Sequence, residues 1–271
     1  MDPALREIVR RALAEDRTDD DVTTKATVPE GTLGRALLVA RQDAVIAGLD
    51  AFAAAFALQG AVTVTSLVVD GTAVAAEGVV AIVEGDLRAI LSAERTALNF
   101  VQHLSGVATF TREFVRQAPG VEVRDTRKTT PGFRALEKAA VRAGGGTNHR
   151  ATLADAVLIK DNHIVAAGSF EVAIKAAQAT GAQVEVECDT LEQVRAAVEA
   201  GVDEILLDNM DVATLSEAVQ LTEARVRTEA SGGVTLETIA AIARSGVDAV
   251  SVGALTHSAP AVDLSLEVEV L

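Results

Sequence analysis

Two rhythms of apolar and polar positions divide the chain near residue 105. Before it, "GRALLVARQDAVIAG", "AVTVTSLVVDG" and "VVAIVEGDLRAIL" run as short apolar or alternating stretches broken by Gly and Asp. That pattern predicts strands joined by tight turns, with helices at both ends of the region and over residues 49–58: an α/β sandwich of antiparallel character. The span Ala51 to Val69 has no ionisable residue. Gln59-Gly60 interrupts it and the β-branched "AVTVTSLVV" follows, so it reads as an Ala-rich helix, a turn and a strand rather than a membrane segment. "SAERTALNFVQHLSG" predicts a helix with Ser92 as N-cap and Gly106 as stop. Leu91, Leu98, Val101 and Leu104 supply its apolar side, while Arg95, Asn99 and Gln102 share the other.

After residue 120 the pattern alternates between strand and helix. Strands are predicted at Val121–Arg127, Ala156–Lys160, Gln183–Cys188, Glu204–Asp208, Arg225–Ala230 and Ala249–Val252. Helical stretches such as "TLEQVRAAVEAG" and "TLETIAAIARSG" lie between them and end at Gly. Repeated βα units argue for a parallel sheet, and polar residues close nearly every strand. Converging strand ends favour a barrel, whose C-terminal face carries active sites. Six clear strands imply an incomplete or seven-stranded one. The expected fold is therefore α/β: an N-terminal α/β open sandwich over 1–105 and an incomplete β/α barrel, six- or seven-stranded, over 106–257. Residues 258–271 ("SAPAVDLSLEVEVL") alternate like a strand that returns to the N-terminal sheet.

Composition narrows the classes. The 271 residues carry a net charge of −15 and no Trp or Tyr, so the core must be built from Ala, Val, Leu and Ile. The acidic balance and the lack of aromatic–basic interleaving exclude a nucleic-acid surface. Cys188 is alone, which rules out an internal disulfide and fits a reducing cytosol, and the charged N-terminus lacks the apolar run of a signal peptide. A cytoplasmic protein is expected. Yet residues 124–160 hold eight Arg or Lys against three Asp or Glu, a local +5 that leaves −20 elsewhere. A local inversion of sign points to a site that attracts anions.

Within that stretch "DTRKTTPG" puts Arg127 and Lys128 beyond a strand; Arg150 follows a glycine run and Lys160 closes another strand. Each alone reads as solvated surface charge. On one barrel face the four favour an anion site, with guanidinium forks matched to carboxylate or phosphate. Arg134, Lys138 and Arg142 at i, i+4, i+8 share a helical face, better read as solvated or as a subunit contact. Glu187 and Asp208, at successive strand ends, suit either ribose hydroxyls and Mg2+ or counter-ion roles toward Arg127 or Lys160. His149 and His163 lack the neighbours of a zinc site. "EASGGVTLETI" and "VSVGALTHSAP" each place small residues after a strand in the last two barrel units, where backbone amides bind a substrate phosphate.

These segments carry a family resemblance. "DTRKTTPGFRALEKAAVRAGGGTNHR" and "LADAVLIKDNHI" closely resemble the quinolinate phosphoribosyltransferases. "EDRTDDDVTT", "SAERTALNFVQHLSGVAT", "VEVE", "ILLDNM", "EASGGV" and "VSVGALTHSAP" extend the likeness over nearly the whole chain. One departure is "DRTDDDVTT", where the family usually has a glycine-containing turn. The resemblance implies phosphoribosyl transfer from 5-phosphoribosyl 1-diphosphate (PRPP) to the quinolinate nitrogen, with decarboxylation, giving nicotinate mononucleotide, pyrophosphate and carbon dioxide in NAD synthesis. It implies Mg2+ as cofactor, and a homodimer with shared active sites, a hexamer being the alternative. Arg127, Arg150 and Lys160 resemble the quinolinate carboxylate ligands, with Lys128 and His149 beside them. Arg95 is similar to an arginine lent by the second subunit. Glu187 and Asp208 resemble contacts to ribose and to Mg2+, direct or through water, and with Lys128 they are the implied catalytic groups. Ser231, Gly232, Gly233, Gly253 and Ala254 resemble the 5-phosphate cradle. The alternatives are the related pyrophosphorylase-like protein associated with molybdenum transport, which "LIKDNH" fits less well, and a non-catalytic barrel that binds a phosphometabolite.

Overall fold

The structure, a computed structural model, describes all of residues 1–271. The chain forms two compact units, one of Met1–Phe110, Pro131–Gly145 and Ser258–Leu271, the other of Thr111–Thr130 and Gly146–His257. Relative to the expected boundaries, the division falls at 110/111, and residues 131–145 join the first unit.

In the first unit, α1 (Pro3–Glu15) begins where Asp2 accepts the Leu5 N–H and Pro3 fills the first turn. A 3-10 turn (Thr18–Asp20) and α2 (Val22–Thr27) follow; Asp21 caps α2 by accepting from Thr24 N–H. In "DRTDDDVTT" Arg17 adopts φ 51, so this turn goes left-handed without a glycine. The sheet pairs β1 (Leu33–Ala40), β3 (Val62–Ser66), β5 (Val79–Asp86) and β12 (Leu264–Val270) in the order β12-β1-β5-β3, all antiparallel. Two short strands, β2 (Ala44–Val45) and β4 (Ala73–Val74), pair separately. Helix α3 (Leu49–Gln59) covers the sheet and stops at Gly60, so the Ala-rich helix, turn and strand of the sequence reading are present. Phe52 and Phe56 meet edge to face at 5.0 Å within a core that is otherwise mostly Ala, Val, Leu and Ile.

Helix α4 (Leu87–Gln117) corrects the sequence in three ways. "DLRAIL" is helical after Asp86 rather than strand, because Asp86 caps the helix by accepting the Ala89 N–H at 2.9 Å. Ser92 is not a cap; its hydroxyl donates to Asp21. Gly106 does not stop the helix either. It lies inside it, against the incoming chain, where a Cβ would sit 2.2 Å from the Pro260 carbonyl oxygen and 3.0 Å from the Ala261 Cα. Gln102, assigned to the polar side, ties down that same segment. Its Nε2 donates to the Leu264 carbonyl and its own carbonyl accepts the Val262 N–H. Helix α5 (Arg134–Ala143) completes the unit, and its Lys138 is only 4% exposed, so the solvated reading of that cationic face fails there.

In the second unit six parallel strands run in the order β6-β11-β10-β9-β8-β7. They are β6 (Glu122–Arg124), β7 (Val157–Ile159), β8 (Val184–Cys188), β9 (Glu204–Asp208), β10 (Arg227–Ser231) and β11 (Ala249–Ser251). Helices α6 (Asp161–Ala167), α7 (Phe170–Gln178), α8 (Leu191–Ala200), α9 (Val212–Thr222), α10 (Ile239–Ala243) and the short α11 (Ala254–His257) connect them. Local chemistry sets their ends. Ser169, Thr190 and Asp211 accept N-terminal amides, and Gly168 and Gly201 turn left-handed at the C-termini. No ladder joins β6 to β7; beyond β6 only one parallel bridge forms, between Arg124 and Thr147. The barrel is incomplete, as expected. No helix of the chain is long and apolar enough to cross a membrane.

Replacing Gly106 by Ala tests the close approach. In an open helix Ala would be favoured by about 1 kcal/mol. Here the clash with immovable backbone should reverse the sign and cost about 1–3 kcal/mol, read as a lower urea midpoint at unchanged m. An increase in stability would show that the 260–262 segment does not press on the helix.

Candidate active site

The parallel register brings the chemistry to one end of the sheet. Asp208 is the last residue of β9 and pairs with Ser231, the last of β10. Glu187 sits one residue before the end of β8, Lys160 follows β7, and Gly253 and Ala254 follow β11. Strand β6 is shorter than predicted, so Arg127 and Lys128 lie on a loop beyond it rather than at its end. Each is nonetheless carried on the C-terminal side of a parallel strand.

The glycine-rich segment owes its position to the single bridge. Thr147 N–H donates to Val123 O at 2.8 Å and Asp125 N–H to Thr147 O at 3.2 Å, so residues 146–150 act as a rudimentary seventh strand beside β6. The fully buried Asp125 then accepts from Asn148 Nδ2 at 2.5 Å and from His149 N–H at 3.0 Å. This lock places Arg150 near Arg127. Burial, and after it the charge of Arg127, hold the Arg150 pKa below its ordinary value. Arg150 spends one donor on the Ala156 carbonyl at 3.1 Å, while the buried Nε of Arg127 has no hydrogen-bond partner. Two neighbouring guanidiniums repel each other alone and become favourable when an anion binds to both.

His149 faces the barrel interior. Its Nε2 lies 2.9 Å from Glu185 and 3.8 Å from Glu229, and its Nδ1 accepts the Arg150 N–H at 2.8 Å. Burial works against its charging, but the Glu185 hydrogen bond and the charges of Glu229 and Glu185 outweigh it and raise the pKa. The contact at Nδ1 makes that nitrogen the acceptor and leaves Nε2 as the donor toward Glu185. Beneath it Arg124 reaches Glu204 at 2.8 Å, Glu229 at 2.5 Å and Glu122 at 2.8 Å, with only 12% of its side chain exposed. Burial opposes its charge, yet Glu229, Glu204 and Glu122 together push its pKa up. Burial raises the carboxyls of Glu204 and Glu229 as well; at Glu229 the charge of Glu185 adds to it. His149, Glu185 and Glu229 bring potential ligand atoms within 4.8 Å of one another. Arg124 and the Ser251 hydroxyl already donate to Glu229, so the cation in this cluster is the guanidinium.

The second acidic cluster faces outward. Glu187, Asp189 and Asp208 each offer a carboxylate oxygen within 4.8 Å of the others, and Lys160 pairs with Glu187. Lys160 and Glu187 thus form the ion pair that the counter-ion reading describes. Three hard oxygen donors at this spacing suit a small divalent cation. Gly232 and Gly233 turn left-handed at φ 95 and 58, directly after Ser231. A Cβ on Gly253 would come within 3.0 Å of Lys128 Cδ, so this glycine lets Lys128 lie across the other small-residue turn. The Lys128 carbonyl is held by the Thr256 hydroxyl at 2.8 Å.

Arg95 stands apart from these groups in the sequence. It is exposed and lies more than two turns into α4, not on a helix end as expected. With Ala12, Glu15, Asp16, Asn99 and Phe133 it lines a cavity of about 360 Å³ in the first unit. His163 is the third residue of α6, and its Nδ1 accepts the Lys160 N–H, a capping role. Cys188, buried beside Glu187 and Asp189, has its thiol pushed up to about 12, mainly by burial, and stays inert. Sequence reasoning passed over Asp125, Asp189, Glu185, Glu229 and Arg124. For Glu185 a signal existed: in "VEVE" it shares a strand face with Glu187.

Two family models match the chain: quinolinate phosphoribosyl transferase, N-terminal domain, over residues 21–105, and its C-terminal domain over residues 107–267. A carboxylating nicotinate-nucleotide pyrophosphorylase of Mycobacterium leprae is 45% identical over 276 residues, covering 97% of each chain. A mitochondrial decarboxylating quinolinate phosphoribosyltransferase of Nicotiana glauca is 41% identical, covering 98% of this chain and 82% of that protein. The solved nicotinate-nucleotide pyrophosphorylase of Francisella tularensis superposes with a TM-score of 0.95 at 38% identity, covering 98% and 96% of the two chains.

The interior network gives a stability test. Arg124→Met strands two buried carboxylates and should cost about 3–5 kcal/mol in urea unfolding. Adding Glu229→Gln removes one of those charges and should recover part of the loss. No recovery in the double variant would mean that the two residues are not energetically coupled.

Proposed function

Because the chain belongs to the quinolinate phosphoribosyltransferase family, we propose that its site has two anion-binding halves, one for the pyridine diacid and one for PRPP. The enzyme transfers a phosphoribosyl group to quinolinate and yields nicotinate mononucleotide, the reaction that its relatives' names describe. The observation that carries the division is the pair of neighbouring cations, Arg127 and Arg150, close enough for the charge of one to oppose that of the other and set beyond β6 and beside the incomplete seventh strand. Their charges exceed what a monocarboxylate needs. Lys160, with Lys128 and His149 close by in sequence to this pair, completes the base half.

On the other side, Ser231–Gly233 and Gly253–Ala254 are assigned to the 5-phosphate, received on backbone amides. Glu187 and Asp208, with Asp189 beside them, would hold Mg2+ and the ribose. Bound there, the metal supplies neutralisation of pyrophosphate charge. As the bond from the anomeric carbon to pyrophosphate breaks and the bond to the ring nitrogen forms, positive charge grows on the ribose. The carboxylates of Glu187 and Asp208 oppose that charge. The ribosylated nitrogen is cationic and stabilises by its charge the electron pair that stays on the adjacent ring carbon when carbon dioxide departs; a proton then adds to that carbon. No further electron sink is needed. Arg127 and Arg150 hold the diacid while the carbon–carbon bond breaks. The reading places the enzyme in the cytoplasm, with Arg95 on an exposed helix face completing the site of a partner subunit in a homodimer.

Incubation with PRPP, Mg2+ and either quinolinate or nicotinate, with the nucleotide read by mass, tests the substrate. Quinolinate should be turned over and nicotinate should not, and Arg150→Ala should lose about 2–5 kcal/mol in kcat/KM for quinolinate. Equal turnover of nicotinate would overturn the two-cation reading.

The shared site has its own test. Arg95→Ala and Lys160→Ala should each be nearly inactive, and mixing them under subunit exchange should restore activity, because one site of the heterodimer keeps both groups. Mixed dimers, verified by mass, that stay inactive would return Arg95 to a surface role.

A further inference from the structure

Asn209, directly after Asp208, has no assigned role, yet three features converge on it. It is exposed and adopts φ 54, a conformation that side chains other than glycine take at a cost and that asparagine tolerates better than most. No burial explains why the chain turns there. Its N–H donates to the Ser231 carbonyl at 2.9 Å, carrying the β9–β10 ladder one step past the last paired residues, Asp208 and Ser231. Its side-chain amide donates to Asp208 Oδ2 at 2.6 Å. A carboxylate only accepts, so the amide nitrogen faces Asp208 and the amide oxygen faces away from it.

That oxygen lies against Gly232. A Cβ on Gly232 would come within 2.1 Å of Asn209 Oδ1 and 2.6 Å of its Cγ. Gly232 also has φ 95, so the position demands glycine for two reasons, its backbone conformation and the amide lying on it. The two residues interlock. One side chain thus touches the carboxylate at the end of β9 and the turn at the end of β10.

We propose that Asn209 is a positioning residue for PRPP: it clamps the Asp208 carboxylate to the Ser231–Gly233 turn, so that ribose, metal and phosphate contacts are presented as one preformed unit. The inference rests on the assignment of Asp208 and of this turn to PRPP made above. The physical need is plain. Asp208 stands among like charges, Glu187 and Asp189, with oxygens within 4.8 Å, and would swing away from them if unrestrained. The amide takes one of its oxygens in a hydrogen bond and limits the rotation of the carboxylate. The phosphate turn, built on two left-handed glycines, has little stiffness of its own, and the same amide fills the space beside it. A preformed site loses less on binding and aims its dipoles before charge develops.

Two variants separate the parts of this clamp. Asn209→Gly keeps access to positive φ and removes the amide; Asn209→Asp keeps the shape but turns a carboxylate oxygen toward Asp208. PRPP binding is measured calorimetrically with Mg2+ and without quinolinate, alongside KM for each substrate, the Mg2+ concentration for half-maximal binding, and Tm. Asp208→Asn serves as the reference. Both Asn209 variants should unfold close to the unsubstituted protein. Asn209→Gly should bind PRPP about tenfold more weakly, and Asn209→Asp more weakly still with a higher Mg2+ requirement, while KM for quinolinate stays within about twofold.

If Asn209→Gly binds PRPP normally while Asp208→Asn does not, the clamp is refuted and the assignment of Asp208 stands. If Asp208→Asn also binds PRPP normally, that assignment falls and the clamp falls with it. Parallel losses for both substrates with a lowered Tm would make Asn209 a structural residue and overturn the proposal.

Discussion

The parallel barrel is organised around one buried cation. Arg124 projects from β6 and gathers Glu204 from β9 and Glu229 from β10, while Ser251 of β11, its register partner, donates to Glu229. Carboxylates inside a barrel are expensive unless paired, and a pair that loses one member is worse than none. The network therefore penalises any slip of register, since a one-residue shift would turn these side chains out of the interior and leave their partners buried and alone.

The same network reaches the chemistry through His149. Glu185, on β8, holds its Nε2, and its Nδ1 receives the N–H of Arg150, the residue whose charge Arg127 opposes. The half proposed to bind the base is thus fixed by buried carboxylates through His149 and by Asp125, itself fully buried. The half proposed for PRPP is held differently, by strand register and by the Asn209 side chain, which touches both Asp208 and the turn at Gly232. One half is held by burial, the other by register and a side-chain contact.

The local excess of positive charge turns out to have several destinations. Arg124 points inward to stabilise the barrel and Lys138 is buried in the other unit. Lys160 pairs with Glu187, and Arg127 and Arg150 lie close enough for their like charges to interact. Net charge along a segment shows that cations are concentrated; it says nothing of which face each one takes. The closeness of two cations, rather than the sum, is what supports the diacid proposal.

How much was legible follows the range of the forces involved. Periodicity gave the strands and helices of the parallel region to within a few residues, and strand-end polarity pointed to Glu187, Asp208 and Ser231, because alternation and caps are local. The family motifs gave the reaction. The continuity of α4 through Gly106 was not legible, since a glycine that ends a helix and one that admits a neighbouring backbone look alike until Pro260 is in place. Nor were the roles of Arg124, Glu185 and Glu229: the buried carboxylates that Arg124 pairs with lie 80 and 105 residues away, and His149 lies 36 from Glu185. Sequence by itself determined which segments form elements and which residue types the chemistry requires. Only the tertiary structure decided which charges face inward and which face each other, because that depends on strand order and register, and these are set by pairings between distant parts of the chain.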